Sequence, residues 1–179
     1  MPEHPGQAIT ILKVTPWEEA GVVVTSSARS PDGRLADVHS GYHDNLSPPL
    51  AWSDVPGARA WALIVEDPDA PRETPFVHWM IWNIPGQARA LPAGIPPRDY
   101  PGTPQNAVQG RNDMGQYGWF GPRPPPGHGV HHYHFQLFAL DEAIPLAPDT
   151  PLHELLNALK GHTLAQGEMV ATYEAPRQQ

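Results

Sequence analysis

Proline content is the feature that most constrains this chain. Of the 179 residues, 24 are proline, which is about 13% against a usual ~5%. Each proline removes a backbone donor and is excluded from helix interiors and from central strand positions. Long helical bundles and coiled coils are therefore excluded. Hydrophobic residues make up 40% of the chain, which suffices for one core, so we expect a single folded domain over residues 1–179.

Composition also disfavours several classes of protein. There is no cysteine, hence no disulfide framework, thiolate zinc site or cysteine nucleophile. The longest clean apolar run, Ala60–Val65, has six residues, whereas a membrane span needs about twenty. The first five residues lack the basic and apolar regions of a signal peptide, so we expect a cytoplasmic protein without stable membrane insertion. With 11 Lys and Arg against 19 Asp and Glu, the net charge of −8 opposes general binding to nucleic acid.

The pattern of apolar and β-branched residues predicts a mainly β fold. Two continuously apolar segments predict strands that are buried on both faces, Trp61–Glu66 and Val77–Asn83. Further strands are predicted at Ala8–Leu12, Gly21–Thr25, Val130–Leu140 and Met169–Tyr173. The one clear helix carries leucines from Leu152 to Leu159, and we expect Thr150 to cap it.

A long segment rich in proline and glycine, from Leu91 to Pro126, predicts an ordered loop over the sheet, and loops of this length are usually functional. Trp119 lies in this loop and either lines the mouth of a pocket or anchors the loop on the sheet. Arg123 either attracts an anion or is simply solvated. By contrast, Trp61, Trp79 and Trp82 lie on apolar strands and are predicted to be core residues.

Four of the ten histidines, His128, His131, His132 and His134, fall within seven residues. Strand alternation places His131 and Tyr133 on one face and His132 and His134 on the other. Three explanations are open. The pair at 132 and 134 has the spacing of zinc ligands; His131 and Tyr133, joined by a histidine from another strand, would donate to one oxyanion; or an aspartate would orient a histidine for acid–base catalysis.

The strands and loops around these residues carry linked motifs. They are Asp67–Pro71, His78-Trp79 leading to Asn83, Gly121-Pro122 through Pro124–Gly127, and His131–Tyr133. In their order and spacing the chain closely resembles the phosphatidylethanolamine-binding proteins, specifically their bacterial and archaeal Raf-kinase-inhibitor-like group. The resemblance extends from Asn45–Leu50 to Thr172-Tyr173, which is nearly the whole chain.

The resemblance implies a β-sandwich around a large central antiparallel-rich sheet, with one or two short C-terminal helices. It also implies a small pocket for phosphate-type anions, including the phosphoethanolamine headgroup. Carried over position by position, the residues that would line it are Asp67, Asp69, Pro71, His78, Gly121, His131 and Tyr133. No catalytic residue, metal or cofactor is implied.

The function implied is therefore binding of a phosphorylated small molecule or headgroup by a regulatory or inhibitor-like module. It would act on a protein partner that the sequence does not identify, and a homodimer is compatible with it. The alternative is a slow hydrolase of phosphoesters or esters that uses Asp67, His78 and His131, with or without a metal. The sequence contains none of the common nucleophile motifs, so we expect binding rather than catalysis.

Two details of the resemblance lead to specific expectations. The family commonly has an arginine between the histidine and the tyrosine of the last motif, where this chain has His132. Because strand alternation points His132 away from the pocket, we expect altered support of the site, through a lost ion pair, rather than lost anion binding. The resemblance also implies a cis peptide bond before Pro71.

Overall fold

The computed structural model describes residues 8–177, within which eight strands, one α-helix and two 3₁₀ turns make up the regular structure. The strands are β1 (Val24–Thr25), β2 (Leu50–Trp52), β3 (Ala60–Asp67), β4 (Phe76–Pro85), β5 (Ala90–Leu91), β6 (Val108–Gln109), β7 (His131–Leu140) and β8 (Thr163–Tyr173). The helix is α1 (Leu152–Leu159), and the turns are Thr10–Lys13 and Asp37–His39. The predicted mainly β fold is confirmed, and the predicted strands at Trp61–Glu66, Val77–Asn83 and Val130–Leu140 are those of β3, β4 and β7.

The strands form two antiparallel sheets. The small sheet has the order β1-β2-β5, and the large sheet has the order β6-β4-β3-β7-β8. At the centre of the large sheet, β3 pairs with both β4 and β7. Because these pairings are antiparallel, β3 ends where β4 and β7 begin, so Asp67, Phe76 and His131 lie at the same end of the large sheet.

The large sheet is buried on both faces, which explains why β3 and β4 read as continuous apolar runs. On one face, Trp61 meets Trp52 of the small sheet, with ring centroids 5.6 Å apart. On the other face, Leu155 of α1 belongs to the apolar cluster that contains Trp82. The predicted core role of Trp61, Trp79 and Trp82 is confirmed, since each has 0% exposure.

The strand predicted at Ala8–Leu12 is wrong, because this segment enters the first 3₁₀ turn. The reason is that buried side chains of the sheet satisfy its backbone. The Thr10 amide donates to Glu66 Oε1 over 2.8 Å, and the Ile11 amide donates to Gln136 Oε1 over 2.7 Å. With these donors engaged by side chains, the segment needs no neighbouring strand.

Smaller differences concern the ends of elements. The strand predicted at Gly21–Thr25 shortens to the two residues of β1, whereas the one predicted at Met169–Tyr173 is the second half of β8. Strands β2, β5 and β6 were not predicted from the sequence. Thr150 does not cap α1, because Pro151 takes the N-cap position and no side chain makes a capping hydrogen bond.

The long loop between β5 and β7 is anchored by Trp119, which also lines a second cavity together with Asn45 and Tyr117, so its two predicted roles do not exclude each other. Trp119 is 5% exposed, its ring lies 5.8 Å from that of Phe135, and its Nε1–H donates to the His39 carbonyl over 3.0 Å. The next amide, that of Phe120, donates to the His78 carbonyl over 2.9 Å. The loop is thereby fixed against the start of β4, where the predicted site residues lie.

Candidate functional site

A cavity of about 390 Å³ opens at the end of the large sheet where β3 ends and β4 and β7 begin. Polar groups lie at its floor, and apolar and cationic side chains form its walls. The lining residues are Asp67, Ala70, Pro71, Arg72, Phe76, His78, Met114, Phe120, Arg123, Pro124, Pro125, His131 and Tyr133. Five of the seven residues expected from the family resemblance are therefore together in one cavity.

The most buried polar contact of the floor joins Asp67 to His131. Asp67 Oδ2 lies 2.7 Å from His131 Nδ1, and both side chains are at least 95% buried. Since a carboxylate only accepts, His131 donates through Nδ1–H. Asp67 is itself oriented by a second bond, because its Oδ1 accepts from the Asp69 amide over 2.7 Å. The carboxylate thus fixes the ring orientation of His131, whose Nε2 is left on the opposite side of the ring.

His78 is held in one tautomer by the long loop. Its Nδ1 lies 2.6 Å from the Phe120 carbonyl oxygen, so Nδ1–H must donate and Nε2 carries a lone pair when the ring is neutral. Burial lowers the pKa of His78 from 6.5 to about 4, a drop that the carbonyl and the Asp67 carboxylate only partly oppose. At neutral pH His78 is therefore an uncharged hydrogen-bond acceptor.

Tyr133 supplies a hydroxyl group between the two histidines. The His78 ring meets it edge-on with centroids 5.1 Å apart, and the His131 ring stacks at 6.4 Å. Burial, followed by the charges of Asp67 and Asp69, raises the pKa of Tyr133 far above its ordinary value of 10.0. The hydroxyl consequently stays protonated and remains able to donate.

Asp69 and Gly121, the other two expected residues, do not line the cavity. Asp69 Oδ2 accepts from the His132 amide over 2.8 Å and lies 2.7 Å from His132 Nδ1. The Gly121 amide donates to Asn45 Oδ1 over 2.6 Å. Both residues shape the walls of the site from outside, and the Gly121 amide is already engaged.

Gly121 has a steric role that explains the residue type. A Cβ at this position would lie 2.0 Å from the His39 carbonyl oxygen and 2.8 Å from Asn45 Oδ1. Two segments of backbone therefore cross here at a distance that only glycine permits. The crossing fixes the residue before it, Phe120, whose carbonyl orients His78.

His132 points away from the cavity, as strand alternation predicts, and the expected loss of an ion pair stays a prediction. The His132 ring nitrogen Nδ1 lies 2.7 Å from Asp69 Oδ2, so this carboxylate has a hydrogen-bond partner at position 132. The expected cis bond before Pro71 is wrong, because the cis peptide within residues 8–177 is Thr103–Pro104.

The apolar wall and the two cations were not assigned from the sequence, apart from the open question about Arg123. The Arg72 guanidinium lies 3.1 Å from Asp113 Oδ2 and 5.6 Å from the centroid of the Phe76 ring. Arg123 lines the cavity, and its guanidinium lies 5.5 Å from the centroid of the Tyr42 ring, which is not part of the lining. The sequence did offer a signal for the apolar wall, because Phe120 directly precedes the motif that begins at Gly121 and Phe76 lies two residues before His78.

The described residues do not join His132 and His134 into a metal site. Each ring has its own carboxylate partner, Asp69 at 2.7 Å and Glu168 at 3.2 Å respectively. A set of ligand-type side chains with ligand atoms within 4.8 Å of one another lies elsewhere, at Asp141, Glu142 and His162 on the surface.

Comparison with known proteins gives one consistent family and fold. The family model described as phosphatidylethanolamine-binding protein matches residues 25–174. A UPF0098 protein of Pyrococcus horikoshii is 44% identical over 131 residues, which are 73% of this chain and 65% of that protein. LppC of Mycobacterium tuberculosis, named "Putative lipoprotein", is 33% identical over 174 residues, or 97% of this chain and 83% of that protein. The crystal structure of Escherichia coli YbcL, described as a member of the mammalian PEBP family, matches with a TM-score of 0.78 and 36% identity over 88% of this chain and 100% of that one.

Two findings bear on location. Among the residues that the structure describes, no helix is long and apolar enough to cross a membrane. One relative bears a lipoprotein name. The cytoplasmic location stays a prediction from the sequence.

Proposed function

The chain belongs to the phosphatidylethanolamine-binding protein family, and we propose that it binds a small phosphorylated anion, such as a phosphoethanolamine-type headgroup, in the cavity at the end of the large sheet. The observation that carries this proposal is the buried contact between Asp67 and His131, 2.7 Å long, on the floor of a cavity. An aspartate that holds one nitrogen of a histidine ring also fixes the direction in which the second ring nitrogen can meet a ligand.

The floor offers both donors and an acceptor. Tyr133 donates through its hydroxyl, and His131 donates through Nε2–H when its ring is protonated. His78 accepts through Nε2, because its Nδ1–H is engaged by Phe120. The monoanion of a phosphate monoester matches this set, since its unprotonated oxygens accept and its single hydroxyl donates. The cation of Arg123 at the wall adds favourable charge.

Affinity for such a ligand should be weak. Charge-assisted hydrogen bonds are each worth roughly 1.5–3 kcal/mol, and two or three of them are opposed by several kcal/mol of association and desolvation cost. Dissociation constants between about micromolar and millimolar follow. The apolar walls, which include Phe76 and Phe120, would then select ligands by what is attached to the phosphate.

The test is calorimetric titration of the metal-stripped protein with O-phosphorylethanolamine, inorganic phosphate and ethanolamine. We expect saturable binding of O-phosphorylethanolamine and of inorganic phosphate, and no binding of ethanolamine. A higher affinity for O-phosphorylethanolamine than for inorganic phosphate would identify the headgroup as the better ligand. The Tyr133→Phe variant removes only a hydroxyl and should weaken binding about tenfold. The exposed helix residue His153 provides the control variant His153→Ala. No binding of either phosphate to folded protein would refute the proposal.

Hydrolysis is the second candidate, and the Asp67–His131 contact is the observation that favours it, since a fixed histidine can also act as a general base. Release of p-nitrophenol from its phosphate and acetate esters would test it. Turnover that His131→Ala abolishes would favour an enzyme, whereas identical rates for wild type and variant would favour binding. The inhibitor-like role, a protein partner and a homodimer come from the family resemblance and stay predictions.

A further inference from the structure

His128 lies against the ring nitrogen of His131 that would meet a ligand. Its Nδ1 is 2.5 Å from His131 Nε2, and the two rings meet edge to face with centroids 4.8 Å apart. The other nitrogen of His131 is engaged by Asp67. Both ring nitrogens of the buried histidine are therefore occupied by the protein itself.

Only one proton fits between the two rings. With Nδ1–H of His131 donating to Asp67, either His128 donates to the Nε2 lone pair of a neutral His131, or Nε2–H of a charged His131 donates to a neutral His128. In both arrangements His128 Nδ1 takes the direction in which a ligand oxygen would approach. A bound oxygen would lie about 2.7–2.9 Å from Nε2, so the two atoms cannot be present together.

We propose that His128 is an intramolecular competitor for the anion, which must displace its ring from His131 in order to bind. This inference rests on the proposed function and adds to it the position of one ligand oxygen, which replaces His128 Nδ1. It also assigns a role to a member of the histidine cluster that the family resemblance left unassigned.

The position of His128 in the chain allows the displacement. His128 is exposed and lies between Gly127 and Gly129, which adopt φ angles of 78° and 89°. A Cβ at either glycine would meet nothing within 4 Å, so the segment runs through open space. Strand β7 begins only at His131, so the His128 ring can turn outward while Asp67 still holds His131.

Removal of His128 should have opposite effects on affinity if His128 competes with the anion and if it donates a hydrogen bond to the anion. If His128 only blocks His131, the ligand does not have to break the His128–His131 hydrogen bond in a protein that lacks His128. Removal of His128 then strengthens binding. Because a net hydrogen bond is worth about 0.5–1.5 kcal/mol, the expected gain in affinity is about two- to tenfold. If His128 instead donates to the anion, its removal weakens binding.

The experiment is calorimetric titration with inorganic phosphate at pH 7 of the wild type, His128→Ala and the control His153→Ala. Nitrogen-15 NMR of the imidazoles, recorded on the wild type with and without phosphate, follows the contact directly. We expect tighter binding by His128→Ala alone and loss of the His128–His131 hydrogen-bond signature as phosphate saturates.

The outcomes are separable. Unchanged or weaker binding by His128→Ala, or a His128 signal that phosphate leaves unaltered while it binds, overturns the competitor and leaves the anion site intact. Absence of binding in every variant overturns the proposed function and the competitor with it.

Discussion

Acidification should destabilise this protein through His78, whose surroundings disfavour its charged form. The residue is 4% exposed, and its ring lies 4.6 Å from Phe76 and 5.9 Å from Phe120, centroid to centroid. Its Nδ1–H already donates to a carbonyl, so protonation would place a charge on Nε2 inside an apolar-walled cavity. This burial lowers the pKa from 6.5 to about 4 in the folded protein.

The sign and size of this change in the free energy of unfolding follow from the linkage between protonation and folding. Between pH 6.5 and about 4, the unfolded chain holds a proton at this histidine that the folded protein does not. The free energy of unfolding therefore falls as pH is lowered through this window, by up to about 1.4 kcal/mol per pH unit. The full contribution is about 3 kcal/mol, a large part of the ~5–15 kcal/mol that usually stabilises a domain.

The assay is urea unfolding of the wild type and His78→Gln at pH values from 7 to 4.5. Glutamine keeps an amide donor for the Phe120 carbonyl and does not titrate. We expect the difference in unfolding free energy between the two proteins to shrink by about 2–3 kcal/mol on acidification. The control His153→Gln should follow the wild type. Curves for the wild type and His78→Gln that stay parallel would refute the assignment of a neutral His78.

Three further predictions concern the site. Asp67→Asn should weaken phosphate binding about fivefold to tenfold by calorimetry, because a neutral amide holds the His131 ring less firmly than a carboxylate does; tighter binding would show that simple repulsion of the anion by the carboxylate dominates. Affinity for O-phosphorylethanolamine should fall from pH 5.5 to 8, because the ligand loses at pH ~6 the proton that His78 accepts. For the same reason sulfate should bind less well than phosphate at pH 6, and equal affinities of sulfate and phosphate would contradict the acceptor role of His78. Gly121→Ala should lower the free energy of unfolding by about 2–4 kcal/mol, because its Cβ would lie 2.0 Å from a carbonyl oxygen, whereas Gly21→Ala, where the nearest contact is 3.5 Å, should cost little.

The fold was predictable where the hydrophobic pattern decides it. Strands β3 and β4 are buried on both faces, and a continuous apolar run is what such strands require. The pattern failed at Ala8–Leu12, which has the composition of a strand. Its hydrogen-bond partners are Glu66 and Gln136, polar side chains whose burial in the sheet no local pattern reveals.

Within the site, the strand residues were predictable and the loop geometry was not. Alternation along β7 placed His131 and Tyr133 on one face, and both line the cavity. The contact of His128 with His131 depends on the path of a glycine-flanked loop, which the local sequence does not determine. The same holds for the hydrogen bond from the Gly121 amide to Asn45, which is 76 positions away in sequence.

Two aspartates of one motif illustrate the limit of position-by-position transfer. Asp67 turns inward to His131, while Asp69, two residues later, turns to the opposite face and binds both the amide and the ring of His132. Since the Asp69 amide also donates to Asp67, the loop after β3 is tied to the first two residues of β7. At the position where the resemblance implies an arginine, His132 therefore supports this loop through Asp69. The support of this loop comes from the backbone amides of Asp69 and His132 as well as from the ring at position 132.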